Sequence, residues 1–252
     1  MAPSIHNTGV PLPKPPPNAH AVRAKPDISG IIFHVVSAAV MANGFLALLQ
    51  LGMTEWINKQ VGGHFQFLTI DGLWLTIVTC LLGGMGEMLP GVKILRTVKR
   101  AFLLIALPVE LTVSTIYWGL ILLAPGLIVP DMASVAPESS GPVTSSSEAP
   151  QLLRIPTWID VSIHGVPAIV LIIDFFFREK KYRPPVSTWG AIVLSMVAGT
   201  AYSVWVEYCA AYNNRFPYPF LPLDSFEIRV VIYIGATTFA YVAFKVLNSL
   251  HK

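Results

Sequence analysis

Six stretches of the chain are apolar almost without interruption, and polar sequence separates them. They cover residues 30–51, 67–88, 101–123, 157–177, 188–208 and 227–250. Each has about the 20 residues that an α-helix needs to cross a hydrocarbon core of about 30 Å. They are solid runs, not the short alternating segments that build an outer-membrane barrel. The pattern predicts an all-α fold, an integral membrane bundle of six transmembrane helices. Composition agrees. Of the 252 residues 54% are hydrophobic and 12% charged, whereas soluble domains carry about a quarter charged residues. A soluble α/β barrel fits the length but not this shortage of charge.

The positive charges set the orientation. With six spans, the two termini and the second and fourth loops share one side. Of the 17 Lys and Arg, all but Lys59, Arg154, Arg215 and Arg229 fall there, which under the positive-inside rule puts both termini in the cytosol. Residues 1–28 are polar and proline-rich (PLPKPPP). They have no apolar core, so they read as a disordered cytosolic tail, and the first helix directs insertion. Residues 29–252 form the membrane domain. Within it, a Ser/Pro-rich non-cytosolic loop at about 130–152 cannot bury a core and reads as disordered. A plain flexible loop and an O-glycosylated one both fit its composition. Localisation in the endomembrane system (endoplasmic reticulum) and in the plasma membrane are both compatible with the sequence.

Several chemistries find no support. There is no Walker motif, GxGxxG, HExxH or GxSxG. His34 and His64 have no partner at metal-ligand spacing, and Cys80 and Cys209 read as buried free thiols. No metal and no cofactor is expected. The basic loops 93–100 and 178–183 fit orientation and anionic membrane lipids as partners, not nucleic acid. GGMGE, residues 83–87, reads as close helix packing.

The polar residues inside the spans are informative, because ionisable groups at membrane depth are costly and usually face the bundle interior. Glu87 and Asp174 fall near cytosolic helix ends and read as interfacial, and Glu207 falls at an outer end. Glu110, mid-span, is expected to hydrogen-bond within the bundle, with a structural and a functional role both open. The remaining set is Thr69, Asp71, Asp160 and His164. Thr69 and Asp71 open the second span from its outer side. Asp160 and His164, spaced i, i+4, share a face in the outer half of the fourth. At about 1.5 Å per residue, His164 lies roughly 10 Å below its helix start, so hydroxyl and imidazole can converge near the outer leaflet. A threonine needs a neighbouring base to become a nucleophile, and a third group that fixes the base helps. His164 suits the base, Asp160 its orientation, and Asp71 is a second possible support. Spacing alone equally allows Thr69 to be a helix cap and His164 a packing residue.

Longer motifs carry a resemblance. GGHFQFLT (62–69), LPVELTVSTIYW (107–118), PTWIDVSIHGVPAIVLIID (156–174) and FPYPFL (216–221) occur in this order. Together they resemble the androgen-induced protein family of multipass membrane proteins, some of which hydrolyse fatty acid esters of hydroxy fatty acids. The likeness covers about residues 30–250 and departs from the family pattern at Asp160, Val161 and Gly165. It implies a threonine nucleophile at Thr69, a catalytic histidine at His164 and a lipid ester as substrate. Phe65, Phe67, Trp118 and Trp205 would then line an acyl pocket. An interfacial aromatic belt is the plainer reading of these rings. A non-enzymatic membrane scaffold or receptor-like regulator remains the alternative function, and the oligomeric state is left open.

Overall fold

The computed structural model describes residues 25–128, 155–221 and 225–252. The expectations for the proline-rich tail, apart from its last residues, and for the Ser/Pro-rich loop lie outside these. Among the described residues every regular element is helical: α1 (Ile28–Leu48), α2 (Met53–Asn58), α3 (Leu68–Met88), α4 (Lys93–Leu123), α5 (Thr157–His164), α6 (Val166–Arg178), α7 (Ala191–Asn213) and α8 (Phe226–Leu250). Six segments are long and apolar enough to cross a membrane, with α5 and α6 together making the fourth.

The spans match the hydropathy pattern, with differences that have physical causes. α4 starts at Lys93, not Ala101. Its first turns carry Lys93, Arg96, Lys99 and Arg100, residues that suppress hydropathy yet favour helix. α2, a short helix after the first span, is absent from the pattern because it is too short to cross. The fourth span is broken at Gly165. Pro167 has no N–H for the Ile163 carbonyl and its ring crowds that turn, so the helix yields there.

α1, α3, α5 and α6 pack into one apolar core, where Met41, Leu73 and Ile163 are fully buried. A second cluster joins α4, α6 and α8 around Leu107, Leu171 and Phe175. α7 and α8 pack on each other and reach α4. Only 6% of α8's span is buried, against 56% for α3, so this pair meets the core over a narrow strip around Phe244 and leaves a cavity between itself and α4.

The chain's basic end is tied together by ions. Lys99 Nζ bonds Asp174 Oδ1 at 2.7 Å and Glu179 Oε1 at 2.8 Å. His34 Nε2 lies 3.1 Å from the same Asp174 oxygen. Arg178 reaches Glu87 at 3.0 Å and Asp27 at 3.1 Å. These contacts bring the start of α1, the end of α3 and the end of α6 to one end of the bundle, and Lys181 adds the end of α8 through the His251 carbonyl. Asp174 lies near the end of α6 and is enclosed by this network. It is 1% exposed, because the Lys99 ammonium and the His34 ring reach it from other helices. Glu87 is less buried and bonds Arg178.

GGMGE does pack closely. A Cβ on Gly83 would overlap the His34 ring, and one on Gly30 would overlap the Glu87 carboxylate. Gly83→Ala is expected to destabilise the protein by about 1–3 kcal/mol through overpacking, read as a lower melting temperature in detergent. Glu110 is fully buried, with the Thr76 side chain beside its carboxylate. The Thr76 hydroxyl also donates to the Gly72 carbonyl.

Candidate active site

The approach to α3 depends on two glycines. Gly62 and Gly63 have φ of 86° and 48°, in the left-handed region that a side chain disfavours. They feed a tight turn, Gly63–Gln66, after which Phe67 is extended and α3 begins. The helix-capping position is Phe67, which has no side-chain acceptor. Two tyrosines supply one. The Leu68 N–H donates to the Tyr218 hydroxyl at 2.9 Å and to the Tyr202 hydroxyl at 3.1 Å, and Tyr202 donates to the Gln66 carbonyl. Thr69 is thus inside the first turn, not a cap, and its hydroxyl is released from capping. Tyr218 also lies against the Thr69 side chain and its N–H. Burial pushes the pKa of Tyr218 above the ordinary tyrosine value, so this phenol keeps its proton.

His164 is the last residue of α5, at the break in the fourth span. Its Nδ1 lies 2.7 Å from Asp160 Oδ1. The carboxylate can only accept, so Nδ1 carries the proton and the lone pair sits on Nε2. The ring also stacks flat on Tyr117, with centroids 3.5 Å apart and planes 2° from parallel. The stack on one face and the hydrogen bond at Nδ1 together restrain rotation of the imidazole.

Thr69, Asp71, Asp160 and His164 all line one cavity of about 1350 Å³, walled by α3, α4, α5, α7 and α8. This exceeds the 300–1,000 Å³ of common small-molecule pockets. Thr69 and His164 are 7% and 5% exposed. Among the described residues no hydrogen bond joins their side chains. The cavity, not a direct contact, is what they share.

The family model for FAR-17a/AIG1-like proteins matches residues 29–252. The chain belongs to this family. It is also 24% identical over 231 residues to the UPF0641 membrane protein of Schizosaccharomyces pombe, covering 88% of this chain and 90% of the relative. No solved structure matches.

In this FAR-17a/AIG1-like protein the four aromatic residues singled out in the sequence, Phe65, Phe67, Trp118 and Trp205, also line the cavity. Trp205 is fixed there by its Nε1 donating to the Phe65 carbonyl at 2.8 Å. Burial lowers the pKa of His64, which lines the same cavity near its mouth. Glu110 does not line it. No cluster of metal-ligand type occurs among the described residues. Sequence reasoning gave no role to Tyr117 or Tyr202 and took Tyr218 only as part of the FPYPFL motif. The available signal was the phenol itself, since a tyrosine hydroxyl at depth needs a polar partner.

Proposed function

We propose that this protein is a membrane-embedded lipid ester hydrolase with Thr69 as nucleophile and His164 as base. The resemblance implies fatty acid esters of hydroxy fatty acids as the substrate class. The observation that carries the reading is that Thr69 and an Asp160-anchored His164, from different spans, line one large and mostly apolar cavity.

The scheme calls for an ester carbonyl seated between the two groups, in reach of both. Thr69 Oγ1 adds to the carbonyl carbon while His164 Nε2 takes its proton. The carbonyl oxygen becomes an oxyanion, for which the protonated Tyr218 hydroxyl beside Thr69 is a donor. The Leu68 amide, a donor by its place at the helix start, is already spent on the two tyrosines. As the carbon–oxygen bond to the alcohol breaks, His164 returns the proton to the departing oxygen. The acyl-threonine is then hydrolysed. Water gives its proton to Nε2 and its oxygen to the carbonyl, and Thr69 leaves with that proton as the free acid forms. Asp160 holds the ring in the required tautomer throughout. Both termini lie in the cytosol in this reading, so water reaches Thr69 from the opposite face while the acyl chain stays among the helices.

A fluorophosphonate probe tests the nucleophile. Wild-type protein should label, and Thr69→Ala should lose labelling by at least about a hundredfold at equal expression. Undiminished labelling of that variant rejects Thr69 and favours a scaffold in which these polar groups only hold helices together.

A further inference from the structure

The cavity is much deeper than ester chemistry requires. It continues from the His164 end between α4, α7 and α8 to Leu104, Leu194 and Ala240. From Tyr117, which stacks on His164, to Leu104, α4 covers about 20 Å at about 1.5 Å per residue. An acyl chain of one bilayer leaflet extends over about 15 Å, half of the roughly 30 Å core. The gallery therefore matches an extended long acyl chain.

Its width has a sequence cause. α7 presents Ala198 and α8 presents Ala236 and Ala240 to the cavity, positions a helical turn or two apart where larger side chains would close the space. The two helices are held to each other at Gly199, where a Cβ would overlap Thr237. They are thus braced as a pair, with α8 packed on α4 through Phe244 and the gallery left between the three helices. The three deepest lining residues come from three helices. α7 runs in the same direction as α4 and opposite to α8, and Leu194 lies close to its basic-end start.

We propose that this gallery is the acyl subsite and that Leu104, Leu194 and Ala240 form its floor, setting the longest acyl chain that the protein accepts. This rests on the hydrolase reading for its catalytic consequence, but the binding of a chain does not. Each methylene buried along the gallery adds about fourfold to kcat/KM, until the chain meets the floor. Phenylalanine at position 240 raises that floor, and alanine at position 104 lowers it.

The test uses the purified full chain and a series of saturated 4-methylumbelliferyl esters from acetate to palmitate. The ratio of kcat/KM for palmitate to that for acetate should fall about tenfold or more in Ala240→Phe. In Leu104→Ala the preferred length should move to longer chains. Ratios unchanged in both variants overturn the proposal. Binding of the fluorescent fatty acid cis-parinaric acid to Thr69→Ala protein separates this from the chemistry. If wild type hydrolyses no ester, the hydrolase reading fails, and the subsite is judged by binding alone. It stands if Ala240→Phe in the Thr69→Ala background weakens binding about tenfold, and falls if affinity is unchanged. Should Ala240→Phe fail to fold, Leu104→Ala decides, and a length preference that stays put counts against the floor.

Discussion

Ester turnover by His164→Ala protein is expected to fall by about a thousandfold, within the 10²–10⁴ that a positioned general base supplies. The loss should appear in kcat more than in KM, because the imidazole acts on a proton in flight and not on the bound chain. Asp160→Asn should reproduce part of this loss. The amide can still touch Nδ1, now 2.7 Å from the carboxylate, but it no longer enforces a proton there. Some rings then present the wrong tautomer to Thr69. Tyr117 limits the damage, since its face still holds the imidazole plane. Rates of ester cleavage by the two variants, measured on folded protein of equal expression, check both statements. Turnover by His164→Ala equal to wild type removes the base, and with it the catalytic scheme.

The second large effect concerns stability at the other end of the bundle. Lys99→Met should destabilise the protein by about 3–5 kcal/mol, the cost of stranding buried partners of an ion pair. Lys99 is 4% exposed and stands between Asp174 and Glu179. Without it, two carboxylates face each other in apolar surroundings, with His34 beside one and Arg100 at 2.7 Å from the other. The melting temperature in detergent should drop by about 10 °C for a chain of this size. Combining Lys99→Met with Asp174→Leu should recover part of the loss, because no carboxylate is then left stranded at position 174. Folded Lys99→Met molecules should keep their ester turnover, since none of these residues lines the cavity. A melting temperature equal to wild type would mean that the network is solvated and adds little.

The spans were legible because a bilayer imposes a length and an apolar character that any window of sequence reveals. Thr69 and His164 were legible as types: a hydroxyl at a helix start, and a histidine one turn after an aspartate. Their matching depths allowed them to converge, but which helix faces meet was not legible. Periodicity assigns a residue to a face of its own helix but says nothing about which other helix that face meets. The same limit explains Asp174. Its position near a helix end was legible, but its enclosure was not, because Lys99 and His34 reach it from two other spans. The break at Gly165 was present in the letters GVP, yet the apolar run around it read as continuous.

The sequence by itself determined a six-span helical membrane protein, its basic end, and the four polar residues at the threshold of two spans. Family membership also resides in the order of its motifs, and the match over residues 29–252 bears this out. Tertiary structure alone decided that two tyrosines cap α3 in place of Thr69, that Tyr117 stacks on the His164 ring, and that α4, α7 and α8 meet so as to leave a deep cavity between them. The physical reason is the same in each case. These features are contacts between helices, and the bilayer constrains each helix separately while side-chain shape and hydrogen-bonding demand decide how they meet.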